Sequence, residues 1–381
     1  DAIVEGNDIL KNLLAKVRHE RFDREMARLS PEQRAVCAAL YDRNLLVNAG
    51  PGSGKTYVLM MRCAQLIHEQ GIKPQEILVL AFNRAVVFEI RKRIRDLFRD
   101  LGYGSYVRRL DVSTFHGFAL RQIEQTVNLS EEDAIGEVVH RFARQITEDE
   151  AFAQGMAGRY KAILVDEFQD MNEDFYAVVQ ALARYCEGGA MVIGDDDQDV
   201  LAWNRRDWQR KHGGETALEA VDYFQRYHEA FSPEKHGLGR NYRSVPEIVC
   251  RTSDMIGKAS RGLELRRMKI GMHLEADRPA ADGEGASFIL PFEPTTLEKV
   301  ILKAIQRGDG DGSHESVAIL CRTNAECTQV HQRLAVHDEI RRAGLSVMGS
   351  EDFALHQLRA TGALMDICAG RDAWESVDES T

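Results

Sequence analysis

A glycine-rich loop between an apolar strand pattern and an apolar helix pattern most strongly constrains the fold of this 381-residue chain. The apolar run at 45–47 leads into Ala-Gly-Pro-Gly-Ser-Gly-Lys-Thr at 49–56, and apolar positions then recur at helical spacing through Ile67. This order is typical of a phosphate-binding loop, whose backbone N–H groups face phosphate oxygens at the positive end of a helix. Lys55 is then expected to reach the β- and γ-phosphates, and Thr56 to bind Mg²⁺. A glycine turn without a ligand is the alternative, and the Lys-Thr pair argues against it.

Two further strand patterns end in polar residues that suit ATP hydrolysis. The run at 163–165 ends in Asp166 and Glu167, where one carboxylate can hold Mg²⁺ and the other can position or deprotonate a water. The run at 191–193 leads into a loop that contains Gln198, and a neutral amide there can bond a γ-phosphate or its attacking water. Because ligands of parallel sheets bind at the carboxyl ends of the strands, we expect these groups to share one site.

The strand and helix patterns alternate along the chain, which predicts an α/β fold with a mostly parallel sheet covered by helices, as in P-loop NTPases. Ser30 and Pro31 are typical of an N-cap and a first helical position. Strands are predicted at 44–48, 77–82, 110–113, 162–166 and 190–194, and in the second half of the chain at 286–292 and 316–321.

We expect three parts in the chain. The domains are predicted as a helical extension at 1–29, a first domain at 30–236 with a small helical insertion at about 117–160, and a partial second domain at 237–381.

Composition excludes several classes of protein. No apolar run approaches the ~20 residues that cross a bilayer. The seven cysteines form no CxxC pair, so neither a disulfide framework nor a zinc site is indicated, and a cytoplasmic protein is expected. The Asp-Gly-Asp-Gly run at 309–312 lacks the downstream glutamate of a calcium loop and is typical of a turn.

The formal net charge of −11 argues mildly against a protein that coats nucleic acid, but it allows a locally basic groove. One basic cluster lies at 91–95, and it could equally be a solvated helix face. Another lies at 205–211 next to Trp203, which could be a stacking platform for bases or a core or hinge aromatic.

Seven blocks together resemble those of UvrD/Rep/PcrA-type superfamily 1 DNA helicases. The resemblance implies two RecA-like domains that bind ATP and Mg²⁺ between them and move along single-stranded DNA, typically 3′ to 5′. The partner is then single-stranded DNA or a duplex with a single-stranded tail. The blocks are Leu29 to Gln33, the loop at 49–56, Leu80 to Ala85, Ser113 to Gly117, Val165 to Asp170, Gly194 to Gln198, and Asn241 to Ser244.

The resemblance assigns a role to each matching position. It places Gln33 on the adenine edge and Tyr242 on the face of the base, while Arg243 acts as an arginine finger and Gln198 senses the γ-phosphate. Lys55 and Thr56 contact phosphate and Mg²⁺, Asp166 contacts Mg²⁺, and Glu167 contacts the attacking water. The loop residues that bind the nucleotide are Gly50, Gly52, Ser53 and Gly54, and the residues that line the DNA path are Phe82, His116 and Trp203.

Some features depart from the family pattern. Leu201 and Asn204 stand where the family usually has tyrosine and arginine, which puts the coupling of DNA to ATP in question. The late family blocks are not found, so we expect the amino-terminal part of a longer helicase that binds ATP and turns it over poorly alone, with fused or associated domains beyond residue 381. A non-motor P-loop switch, or a DNA- or partner-binding scaffold with a vestigial ATP site, is the alternative.

Overall fold

The structure is a computed structural model, in which the chain divides into two compact units, residues 1–286 and 287–381. The predicted strands at 286–292 and 316–321, the run at 309–312, Leu201, Trp203, Asn204 and the basic residues Arg205, Arg206, Arg210 and Lys211 lie outside the described residues. The structure describes residues 8–123, 132–198, 208, 222–260, 274–279, 324–336 and 338.

The first unit alternates helices with parallel strands, and in the second unit the described residues form helix α11 with the short stretch that follows it. The helices are α1 (Asp8–Arg28), α2 (Pro31–Ala38), α3 (Lys55–His68), α4 (Arg84–Asp100), α5 (Phe115–Gln122), α6 (Glu132–Glu148), α7 (Glu150–Ala157), α8 (Glu173–Tyr185), α9 (Tyr223–Phe231), α10 (Pro246–Ser260) and α11 (Asn324–Ala335). The strands are β1 (Leu45–Ala49), β2 (Ile77–Ala81), β3 (Asp111–Thr114), β4 (Ala162–Val165), β5 (Ala190–Gly194), β6 (Glu234–Leu238), β7 (Arg240–Asn241) and β8 (Glu275–Ala276).

Among the described residues, six strands form one parallel sheet in the order β3-β2-β4-β5-β1-β6. β1 lies between β5 and β6, with Asn48 opposite both Gly194 and Gly237. The parallel α/β sheet and its first five strands confirm the prediction. The sequence pattern did not indicate β6, because an edge strand with polar residues lacks the continuous apolar run of a buried one. β7 and β8 pair separately.

Helices cover both faces of the sheet, which explains why its central strands are mostly apolar. Leu45, Val47 and Ala49 pack into a core with α1 to α4. Leu46 points to the opposite face and packs into a second core with α5 to α9. No helix within the described ranges is long and apolar enough to cross a membrane.

The start of α2 carries the predicted cap. The Ser30 hydroxyl accepts a hydrogen bond from the Gln33 backbone N–H at 3.2 Å, and the Gln33 side chain accepts one from the Ser30 N–H at 3.1 Å. This reciprocal pair satisfies two donors that a helix start leaves open. The capping box fixes Gln33 beside the glycine loop.

Helix α1 is part of the core of the first unit. Phe22 is 1% exposed, and its ring lies 4.3 Å from the ring of His68 on α3. Arg18 donates to the Gly102 carbonyl at 3.0 Å, and Glu25 accepts a hydrogen bond from the Tyr57 hydroxyl at 3.0 Å. The last contact joins α1 to the first turn of α3, directly after the glycine loop.

We predict that Phe22→Ala lowers the free energy of unfolding by about 3–5 kcal/mol, because it leaves a cavity between α1 and α3. Leu13→Ala on the same helix is the matched control, since Leu13 is 56% exposed and should change stability by less than about 0.5 kcal/mol. Urea unfolding measures both. Equal effects of the two substitutions would contradict the packing of α1.

Candidate active site

The parallel direction of the strands brings the chemically active loops to one edge of the sheet. The glycine loop follows β1, Asp166 and Glu167 follow β4, and Asp195 follows β5. β5 lies between β4 and β1 in the sheet. Three loops far apart in the sequence therefore share one edge.

The glycine loop requires glycine at two positions. Gly52 and Gly54 have φ of +67° and +82°, in the left-handed region that glycine adopts without strain. A Cβ atom on Gly52 would also lie 2.8 Å from the Cβ of Arg243. The backbone here can therefore turn tightly and lie close to the segment 241–244.

The carbonyl groups of this loop are bonded to the protein on its outer side. Four successive carbonyls of the loop each accept a hydrogen bond. Ser53 Oγ donates to Gly50 O at 2.7 Å, and Asn241 Nδ2 donates to Pro51 O at 2.6 Å. Tyr242 N donates to Gly52 O, and Gln33 Nε2 donates to Ser53 O, both at 2.9 Å. The Pro51, Gly52 and Ser53 carbonyls share their peptides with the N–H groups of the next residues. Because C=O and N–H of a trans peptide point in opposite directions, these bonds turn the N–H groups of Gly52, Ser53 and Gly54 away from the donors.

Lys55 begins α3 and points to the end of β4. Its Nζ lies 3.5 Å from Glu167 Oε2, and both side chains are largely buried. Thr56 follows in the first turn of the same helix. The lysine and the glutamate that the sequence predicts for phosphate and water therefore form an ion pair.

Asp166 is a buried carboxyl group with one oxygen unoccupied by the protein. Its Oδ1 accepts a hydrogen bond from the Glu167 N–H at 3.0 Å, while Oδ2 has no hydrogen-bond partner among the described residues. Burial and the neighbouring Glu167 carboxylate raise the pKa of Asp166 from 3.8 to about 7, against the opposing effects of that N–H and of Lys55. A buried carboxylate oxygen without a partner fits a hard cation such as Mg²⁺.

Glu167 has a strained backbone. Its φ of 51° and ψ of 51° lie in the left-handed region, which a residue with a side chain rarely adopts and which costs of order 1–3 kcal/mol. This conformation ends β4 and begins the short 3₁₀ turn Phe168–Asp170. Strain of this kind is found where the position of a side chain matters more than stability.

Gln169 joins the loop after β4 to the loop after β5, and the sequence interpretation gave it no role. Its Nε2 donates to Glu167 Oε2 at 2.8 Å, and its Oε1 accepts from the Asp195 backbone N–H at 2.9 Å. A Cβ atom on Gly194 would lie 2.5 Å from that Oε1. The buried amide thus fixes the Glu167 carboxylate relative to β5, and the glycine makes room for it.

The loop after β5 is held by a buried aspartate. Asp195 is 1% exposed, and its Oδ2 accepts a hydrogen bond from Gln198 Nε2 at 2.9 Å. Its Oδ1 accepts one from the Asp197 N–H at 3.0 Å. Gln198, predicted to sense the γ-phosphate, is therefore linked to Glu167 through Asp195 and Gln169.

Asn241 organises the segment 241–244, although the sequence interpretation gave it no role. Its Oδ1 accepts hydrogen bonds from the N–H groups of Arg243 at 2.9 Å and Ser244 at 2.7 Å, while its Nδ2 holds the Pro51 carbonyl. Tyr242 and Arg243 are exposed beside the glycine loop. One buried amide places both of them there.

The other residues predicted from the sequence, Phe82, His116 and Gln33, make different contacts in the structure. Phe82 and His116 both contact the ring of Phe175, at 5.9 Å and 5.4 Å between ring centroids. Burial and the nearby Arg84 lower the pKa of His116. Gln33, predicted for the adenine edge, is buried with both polar atoms of its amide bonded within the protein.

A comparison with protein families matches two overlapping stretches, residues 29–135 and 130–210, to the UvrD/REP helicase N-terminal domain. Residues 29–210 are thus similar to a UvrD/REP helicase N-terminal domain. All loops described above except the segment 241–244 fall inside it.

Known proteins similar to this chain include several DNA helicases. DNA helicase II of Escherichia coli K12 is 26% identical over 387 residues, which cover 80% of this chain and 50% of that protein. PcrA of Staphylococcus aureus Mu50 is 22% identical over 363 residues, which cover 74% and 46%. A crystal structure of Pif1 helicase from Candida albicans aligns with a TM-score of 0.35 at 15% identity, over 74% of this chain and 55% of that chain. The chain spans about half the length of the curated relatives it matches.

We predict a pH dependence of stability from Asp166 in the metal-free protein. Its pKa is raised on folding from 3.8 to about 7, so the ionised form is disfavoured in the folded state. Stability should fall as the pH rises through this range, by at most about 4 kcal/mol at 1.36 kcal/mol per pKa unit. Asp166→Asn should remove this component. The variant's stability gain over wild type should then grow between about pH 5 and about pH 8 in urea unfolding.

The matched control for this pH series is Asp100→Asn, because Asp100 is exposed at the end of α4. Its difference from wild type should stay near zero across the pH range. A gain for Asp166→Asn that does not change with pH would contradict the proposed burial of the charge.

We predict that Gln169→Leu lowers the free energy of unfolding by about 1–3 kcal/mol, because it leaves the buried Asp195 N–H without a partner. Gln154→Leu is the matched control, since Gln154 is exposed on α7 and bonds only Glu150 among the residues described here. Its effect should stay below about 0.5 kcal/mol. If both variants unfold at the same urea concentration as wild type, Gln169 does not bridge the two loops.

Proposed function

We propose that this chain binds ATP with Mg²⁺ at the edge of the sheet and couples its hydrolysis to movement along single-stranded DNA, in the 3′ to 5′ direction. The observation that carries the proposal is the glycine loop, whose carbonyls are bonded outward while Lys55 pairs with Glu167 at the end of β4. These contacts support a phosphate site beside an acidic pair.

The loop residues Gly50, Gly52, Ser53 and Gly54 bind the phosphates. Gly52 and Gly54 donate backbone N–H groups, and those of Gly50 and Ser53 become available when their present bonds to the Leu238 carbonyl at 2.9 Å and the Gly50 carbonyl at 3.3 Å open. Lys55 exchanges its contact with Glu167 for the β- and γ-phosphates, which frees the glutamate. Tyr242 stacks on the base, and Gln33 contacts the adenine edge after one of its present hydrogen bonds opens. Both side chains lie on segments bonded to the loop, which supports these assignments.

Thr56 and Asp166 would hold Mg²⁺, and the partnerless Asp166 oxygen supports this. The ion supplies positive charge that stabilises the phosphate oxygens when it is bound. A cation beside Asp166 also favours its ionised form, which burial alone disfavours.

Glu167 orients the attacking water and accepts its proton while the water oxygen bonds to the γ-phosphorus and ADP leaves. Gln198 bonds the γ-phosphate or this water. Arg243 stabilises the charge on the transferred group as an arginine finger, and the closeness of its Cβ to Gly52 supports this role. Gln169 and Asp195 link Glu167 to Gln198, so one network holds both groups.

Phe82 and His116 line the DNA path together with Trp203, which lies outside the described residues. The shared contact of Phe82 and His116 with Phe175 on α8 supports a common surface. The domain scheme of 1–29, 30–236 and 237–381 belongs to the same proposal.

We predict that single-stranded DNA stimulates ATP hydrolysis by the protein. Glu167→Gln should keep ATP affinity and lower turnover by about 10²- to 10⁴-fold, because it removes the acceptor of the water's proton. Lys55→Ala should weaken ATP binding. Glu148→Gln is the matched control, since Glu148 is exposed on α6 and should leave both quantities unchanged.

Two results would redirect the proposal. ATP hydrolysis that single-stranded DNA does not change would indicate a non-motor switch. ATP binding that survives Lys55→Ala at full strength would indicate a scaffold whose nucleotide site is vestigial. Fluorescence titration with an ATP analogue and steady-state phosphate release measure the two quantities separately.

A further inference from the structure

One face of α4 carries an exposed phenylalanine among basic residues. We call this face the α4 stripe and define it as Arg84, Phe88, Lys92, Arg95 and Arg99. Their spacing of four, four, three and four residues places them on one side of a helix. All five side chains are exposed, and Phe88 is 65% exposed.

The α4 stripe points away from the protein core. The opposite face of α4 supplies Ile90, Ile94 and Phe98 to the core, and each of them is at most 1% exposed. Single exposed apolar residues are common on protein surfaces, so Phe88 alone indicates nothing. The inference rests on the basic residues around Phe88.

The acidic residues of α4 lie outside the α4 stripe. Glu89 pairs with Arg93, while Asp96 and Asp100 both pair with Arg99, the last residue of the stripe. Within the described ranges, Arg84, Lys92 and Arg95 form neither an ion pair nor a side-chain hydrogen bond. The chain as a whole has a net charge of −11. On this face, however, three basic side chains are not neutralised by any acid within the described ranges, so they can bind an anionic partner.

The α4 stripe begins at the predicted DNA path. α4 starts directly after Phe82 and the capping residue Asn83, which follow β2 at the active edge of the sheet. Arg84 acts on His116 across that edge, since it helps to lower the pKa of that histidine. From Arg84 to Arg95 the stripe extends about 16 Å along the helix, at 1.5 Å per residue.

We infer that the α4 stripe is a second contact site for single-stranded DNA, continuous with the path at Phe82 and His116. Arg84, Lys92 and Arg95 contact the phosphates, and Phe88 stacks on a base. Cations combined with one exposed ring are the chemistry by which proteins bind single strands without reading sequence. The inference rests on the proposed function, since it extends the DNA path assigned there.

The test is binding of a labelled oligothymidylate to the full chain, measured by fluorescence anisotropy over a series of salt concentrations. Phe88→Ala should weaken binding by about tenfold, because it removes one stacking platform. The double variant Lys92→Ala and Arg95→Ala should weaken binding and reduce the slope of log K against log salt by about 1.4, at about 0.7 per phosphate contact on a single strand.

Arg93→Ala is the matched control, because Arg93 lies on the same helix outside the stripe and pairs with Glu89. It should leave affinity and salt slope unchanged. All variants change exposed residues, so wild-type unfolding curves and ATP-analogue affinity should be retained.

Three results would overturn the inference. The first is that Phe82→Ala weakens binding of the oligonucleotide while Phe88→Ala does not. In that case the α4 stripe does not contact DNA, and the proposed function stands. If wild type does not bind, both fail. If polyglutamate competes for the stripe as strongly as the oligonucleotide does, the partner is an acidic peptide.

Discussion

The outward hydrogen bonds of the glycine loop are the constraint on which the rest of the site depends. Gln33, Asn241 and the Tyr242 backbone hold three carbonyls of the loop, and each donor comes from a different position in the chain. With the Pro51, Gly52 and Ser53 carbonyls fixed, the orientations of the three peptide groups that follow are restricted before any phosphate arrives, which lowers the reorganisation needed on binding. The same three donors place the predicted base-binding residues beside the loop.

Asp166 and Glu167, which follow β4, both destabilise the free protein. Burial of Asp166 raises the pKa of its carboxyl group, and Glu167 has a left-handed backbone. Gln169 compensates by bonding both the Glu167 carboxylate and the Asp195 N–H. Because a bound cation favours ionised carboxylates, Mg²⁺ at Asp166 would relieve the unfavourable charge. Asp166 and Glu167 therefore lower the stability of the free protein at the position where a bound cation would raise it.

The sequence predicted the parts of this structure whose causes are local. Strands β1, β2, β4 and β5 were predictable because each contains a continuous apolar run, and the cap of α2 because Ser30 directly precedes Pro31. The polar edge strand β6 gave no such pattern. Gln169 and Asn241 escaped notice as positioning residues because their partners are 26 and 190 residues away, and only the folded sheet brings them together.

The most direct test of the account follows the backbone amides of the glycine loop by nitrogen-15 NMR while Mg²⁺ and ADP are titrated into the protein. If the loop is a preformed phosphate cradle, the N–H resonances of Gly52, Gly54, Lys55 and Thr56 should shift together and saturate with one affinity. If those four resonances stay in place while others shift, the nucleotide binds elsewhere. That result would contradict the assignment of this edge as the active site.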